Sequence, residues 1–180
     1  MRVALTPNPA NFFPNLSEAY APEIISASSA FSFATYQHSK LPLRLFEAAR
    51  IATAVINGCV VCKNWRSARD VSVMGLESGV IDRGPLPDED FYQAVLANDL
   101  GALDVRERLA VLYVQRMGED PRGLAADEGF WTELKAALSD AEIVDLTYCC
   151  ACWMGLGRAA HILGLDIACA IPTHQMAEAA

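Results

Sequence analysis

Apolar side chains recur along this chain at intervals of three and four residues, the period at which one face of an α-helix turns inward. That spacing predicts helix over residues 17–37, with the continuous part beginning at Pro22, whose fixed φ suits a first turn. Over 42–56, Leu45, Ala48, Ala49, Ala52, Val55 and Ile56 form a wide apolar stripe, and Asn57-Gly58 ends it. A further helix is predicted from near Cys59 through Trp65, Ala68 and Val71 to about residue 77, before a Gly- and Pro-containing loop over 78–87. Residues 88–98 make a short helix. Asp104 with Glu107 forms a capping-box pattern that opens a longer one, with Leu109, Leu112, Tyr113 and Met117 on its buried side. After a loop at 121–123, residues 128–138 are helical. Ser139 with Glu142 then opens a long apolar helix to Leu163, closed by Gly164. No segment alternates with period two between hairpin turns, so the predicted class is all-α.

The ends break this pattern. Pro7, Pro9 and Pro14 among Asn8, Asn11 and Asn15 favour an extended arm over 1–15, of the kind that packs on a neighbouring subunit. One helical domain is expected over 16–171 and a tail over 172–180, because 180 residues accommodate a single sizeable core. A formal net charge of −8, with no basic cluster, disfavours nucleic acid and anionic lipid as partners. No uncharged apolar run is long enough to span a bilayer, and the first residues lack the apolar centre of a secretory signal, so the cytosol is the expected compartment. Six cysteines in such a chain read as thiols, catalytic groups or metal ligands before they read as a disulfide framework.

The chemistry concentrates in Glu47-x-x-Arg50 and Asn57-Gly58-Cys59-Val60-Val61-Cys62. A two-residue spacer lets both sulfurs meet across one helical turn, and a helix N-terminus favours thiolate over thiol. Attack by one thiolate on a peroxide or disulfide leaves an oxidised sulfur, which the second thiol resolves. Antiparallel counting about Asn57-Gly58 places residue 47 opposite 66 to 68, so Glu47 should face Arg66, itself one turn beyond Cys62 on the same helix face. A carboxylate there takes the thiol proton directly or through water, and the guanidinium stabilises the thiolate. The same residues also read as a structural ion pair of Glu47 with Arg50 or Arg66, beside two buried small hydrophobes.

In register, Glu47, Arg50, Asn57-Gly58 and the Cys59/Cys62 pair resemble the core motif of the alkylhydroperoxidase-D branch of the carboxymuconolactone-decarboxylase family. Leu103-Asp104-x-Arg106-Glu107-Arg108 and the run from Leu138 to Leu146 resemble its later helices, and the likeness extends from about 41 to 165. The resemblance implies an all-helical fold, a homo-oligomer (trimer or hexamer) and peroxidase-type thiol oxidoreductase activity. The substrate would be a hydroperoxide or a partner disulfide, and the reductant a protein of lipoyl or thioredoxin type; no cofactor or metal is expected. The family's histidine, four residues after the second cysteine, is Arg66 here, and arginine relays no proton. Helix-dipole reasoning favours Cys59, as the outer and more exposed thiol, for first attack. The resemblance favours Cys62, with Cys59 as proton donor and resolving thiol, and Cys62 is taken.

Cys149, Cys150 and Cys152 sit in an apolar run and read as core, a metal site with Cys59 and Cys62 being the alternative. His38, His161 and His174 are isolated in sequence. His161 suits the C-terminal end of the long helix, while His38 folding back toward the thiols would replace the missing relay. Trp65 and Trp153 read as core or subunit interface. Two other functions fit the pattern: a decarboxylase or lactone-acting enzyme of the carboxymuconolactone type, and a non-enzymatic oligomer with structural or metal-binding cysteines.

Overall fold

A computed structural model describes residues 2–4 and 16–168. The rest of the expected arm and the whole expected tail, with Cys169 and His174, lie outside the described residues. Among those described there is no strand. The helices are α1 (Leu16–Ala19), α2 (Pro22–His38), α3 (Leu43–Asn57), α4 (Val60–Asn64), α5 (Ser67–Asp70), α6 (Glu89–Ala97), α7 (Val105–Glu119), α8 (Pro121–Ala126), α9 (Glu128–Ala137), α10 (Asp140–Leu163) and α11 (Leu165–Ala168). None is long and apolar enough to cross a membrane.

The centre of the domain is α3, packed between α7 and α10 and touched by α6. The stripe predicted for it understates its burial, because the polar positions Glu47, Arg50, Thr53 and Asn57 are buried as well. Each has a hydrogen-bonding partner. Arg50 pairs with Glu47, Thr53 donates to the Ala49 carbonyl at 2.8 Å, and Asn57 donates to the Trp153 carbonyl at 2.9 Å. Ala48, Ala49 and Ala52 let neighbouring helices approach closely, while Phe46 packs edge-on against Tyr36 and Trp153 at centroid distances of 5.3 and 4.7 Å.

The caps read from the sequence are present. Asp104 with Glu107 and Ser139 with Glu142 form reciprocal capping boxes, and Gly164 closes α10 in the left-handed conformation at φ 70°. Replacing Ser139 by alanine should lower unfolding free energy by about 1 kcal/mol, read by denaturant titration; an unchanged midpoint would mean that the Ser139 cap adds nothing to α10.

Two predicted elements are different. The stretch at 121–123 is helical, because Pro121 fits the first turn and the Asp120 side chain accepts from the Gly123 N–H. The single helix expected from 59 to about 77 is broken into α4, α5 and a 3₁₀ turn, Val71–Met74. Trp65 and Arg66 are extended, at φ/ψ −68/136° and −125/115°. The carbonyls of Cys62 and Trp65, which would continue the helical ladder, are taken by the Arg50 guanidinium at 2.9 and 2.6 Å. Trp65 itself is drawn into the core against Tyr36.

Candidate active site

Gly58 ends α3 at φ 70°, its N–H bonded to the Ala54 and Val55 carbonyls, and turns the chain directly into Cys59. Cys59 is the N-cap of α4, its sulfur accepting the Cys62 N–H at 3.3 Å, and the two cysteines are joined as a disulfide. Cys59 is fully buried and Cys62 half-buried, which reverses the exposure expected of the first cysteine. With only five residues, α4 has a small macrodipole, so the dipole argument for Cys59 weakens further.

Glu47 lies beneath this loop with no exposure. Arg50 donates to both of its oxygens, at 2.7 and 2.8 Å, Ser67 donates its hydroxyl to Oε1 and its N–H to Oε2, and Tyr92 donates to Oε2 at 2.7 Å. Burial alone would raise its carboxyl, but the adjoining guanidinium and these hydrogen bonds hold it below the usual carboxylate range. The same burial opposes charge on Arg50, which Glu47 more than offsets. Glu47 is therefore a saturated anion, joined through Arg50 to the Cys62 and Trp65 carbonyls.

The expected meeting of Glu47 with Arg66 does not occur. Antiparallel counting reached the right segment, 66 to 68, but the extended step at Trp65 and Arg66 turns Ser67 toward the carboxylate. Arg66 instead pairs with Glu89 at 2.8 Å, donates to the Lys63 carbonyl at 2.7 Å and lies 4.1 Å over the Tyr92 ring. Tyr92 thus stands between the two residues, its hydroxyl on one and its face on the other. Sequence reasoning missed Tyr92, Ser67 and Asp166; only for Ser67 did a signal exist, in the counting that landed one residue away.

His38 is exposed at the end of α2 and lines a polar groove with Lys40, Asp82 and Arg83, with no hydrogen bond to either sulfur. Among the described residues His161 is the histidine near the cysteine turn, bound to Asp166 of α11 at 2.9 Å. Cys149, Cys150 and Cys152 are buried in the core. Burial, and for Cys149 also Asp145, pushes all three thiols up, Cys152 to about 11, so at neutral pH they are protonated and unreactive. Among the described residues no three His, Cys, Asp or Glu side chains converge in a way that could hold a metal ion.

The depressed carboxyls of Glu47, Glu89, Glu142 and Asp166 share one sign. Each contributes stability that is present above its unfolded value, about 4, and lost as pH falls through its lower folded value. Urea midpoints should hold from pH 7 to about 5 and fall steeply toward pH 3; a midpoint unchanged at pH 3 would contradict the assigned direction.

No protein-family model matches the chain, and no curated protein matches its sequence significantly. Its structure is similar to the crystal structure of an Agrobacterium tumefaciens protein of unknown function, described there as a candidate antioxidant defence protein, AhpD. The TM-score is 0.64 at 20% identity, over 86% of this chain and 96% of the other. At that identity the likeness establishes a shared fold, a single all-α domain.

Proposed function

We propose that this protein is a thiol oxidoreductase of the alkylhydroperoxidase-D type, cycling Cys59 and Cys62 between dithiol and disulfide as it reduces a hydroperoxide or a partner's disulfide. The observation that carries the reading is the pairing of a buried cysteine with a half-buried one, in a turn braced by a buried ion pair. Cys62 attacks, because an oxidant reaches it from solvent, and Cys59 resolves. Glu47 and Arg66 are positioning residues in this scheme. Glu47 holds the Cys62 carbonyl through Arg50, and Arg66 ties the segment after Cys62 to Glu89 of α6. The name of the Agrobacterium tumefaciens protein supports the same class.

Electrons would return from a dithiol, on a lipoyl-type or thioredoxin-type protein, by exchange at Cys62. Exposed Ile24, Phe31 and Phe33 on α2, with Val144 and Tyr148 on α10, support a homo-oligomer, trimeric or hexameric by the resemblance. Treating the reduced protein with one equivalent of hydroperoxide and mapping its peptides by mass spectrometry should yield a Cys59–Cys62 bond and one equivalent of alcohol. Recovery of two free thiols with the peroxide intact would reject the peroxidase reaction, and two free thiols after treatment with a disulfide as well would reject the function.

A further inference from the structure

We propose that His161, oriented by Asp166, is the proton-exchanging partner of the Cys59–Cys62 pair; this rests on the thiol oxidoreductase reading above. Chain separation hides the arrangement, since Asp166 lies 106 residues beyond Val60. In the fold, Asp166 Oδ2 accepts the Val60 N–H at 3.1 Å and faces His161 Nδ1 at 2.9 Å, so one buried carboxylate binds both the cysteine turn and the imidazole. That contact assigns the proton on Nδ1 and leaves Nε2 as the free edge.

The free edge is turned to the cysteines' turn. A Cβ placed on Gly58 would lie 3.2 Å from His161 Nε2 and 3.5 Å from both neighbouring ring carbons. Glycine at 58 therefore serves twice, by its positive φ and by leaving room for the ring beside the residue bonded to Cys59. Burial would raise the Asp166 carboxyl, but hydrogen bonds from His161 and Val60 keep it low and hence anionic. A fixed anion on the N–H of the residue after Cys59 opposes negative charge on that sulfur, and the imidazole bound to the same carboxylate is the neighbouring group able to supply a proton.

The other groups around the pair do not exchange protons. Glu47 is occupied by Arg50, Ser67 and Tyr92, and Arg66 is permanently charged and held by Glu89. Asp166 of α11 binds His161; α4, which packs on α11, carries Lys63, and Arg2 donates its N–H to the Leu163 carbonyl, two residues beyond the histidine. Arg158, one turn back on α10, reaches the Gly118 carbonyl of α7, beside Arg116 and Glu119. Residues 51–57 of α3 carry no titratable side chain.

In reduction, the thiolate of an external dithiol attacks Cys62 Sγ and the S–S bond breaks. The electron pair departs on Cys59 Sγ, which takes a proton from the His161 imidazolium. The second thiolate of the reductant attacks the mixed disulfide and releases Cys62 as thiolate; the dithiol leaves oxidised and His161 is left neutral. In the forward direction Cys62 thiolate takes oxygen from the hydroperoxide, releasing alcohol with a solvent proton. Cys59 then loses its proton to the neutral His161 and attacks the sulfenic sulfur, and the departing hydroxide takes that proton back as water; His161 is reprotonated from solvent through its 44% exposed ring before the next reduction.

The test is the rate of disulfide reduction by dithiothreitol against pH, corrected for the reagent's thiolate fraction, together with thiolate absorbance of the reduced protein. Wild type, His161→Gln and Asp166→Asn are compared, with melting curves as the control for folding. The wild type should show an inflection in its pH profile, and both variants should lose it, reacting at least roughly a hundredfold more slowly below it. Wild-type rates in His161→Gln at every pH would overturn the assignment, as would a uniform slowing that keeps the inflection, which marks a structural role. Failure of the wild type itself to cycle would overturn the function proposed above, and this inference with it, and is distinguished by needing no variant.

Discussion

Cys62→Ser should lose hydroperoxide- and disulfide-dependent turnover by on the order of a thousandfold or more, the scale on which removal of a nucleophile acts. Cys62 is half-buried whereas Cys59 is closed off from solvent, so in the proposed scheme an oxidant meets Cys62 first. A serine hydroxyl at 62 has neither the thiolate's nucleophilicity nor the capacity to form a sulfenic acid. Cys59→Ser should behave differently. Its Cys62 should still consume one equivalent of peroxide and stop as a sulfenic acid, trapped by a dimedone-type reagent, because the resolving thiol is gone. Equal turnover in Cys62→Ser and wild type would reject the mechanism, and a sulfenic acid trapped on residue 59 would reverse the assigned order. Simultaneous alanine substitution of Cys149, Cys150 and Cys152, whose thiols burial keeps protonated, should leave chemical turnover per folded molecule unchanged.

Glu47→Ala should destabilise the fold by about 3–5 kcal/mol, the cost of stranding the partner of a buried ion pair. In a domain of this size that lowers the melting midpoint by roughly 10 °C. Arg50 would stay buried at 3% exposure with its counter-ion gone, and the hydroxyls of Ser67 and Tyr92 would lose their common acceptor. The loss should extend to the thiols, since Arg50 is the group that holds the Cys62 and Trp65 carbonyls. Glu47→Gln keeps the size and part of the hydrogen bonding without the charge, so its midpoint should fall between those of wild type and Glu47→Ala. A melting curve of Glu47→Ala within a degree or two of wild type would show that the pair does not brace the fold.

Helix limits were readable because their causes are local. Pro22 in a first turn, the Asp104/Glu107 and Ser139/Glu142 boxes and Gly164 as a C-cap all act within one turn of the backbone. The cysteine motif was readable for the same reason, since three residues of separation place the sulfurs within reach of each other. The break after Cys62 was not. Residues 65–70 carry no proline or glycine, and what ends α4 is a guanidinium from α3 competing for its carbonyls.

By itself the sequence determined an all-α chain, its principal helices and a cysteine pair placed just after a helix-ending glycine, because propensity, capping and apolar period are short-range effects. Tertiary packing decided which side chains surround that pair: Ser67 and Tyr92 on Glu47, Glu89 on Arg66, and Asp166 with His161 on the cysteine turn. Most of those partners are brought together from widely separated parts of the chain, and contacts of that range follow from how helices bury their faces against one another. A local pattern does not encode them.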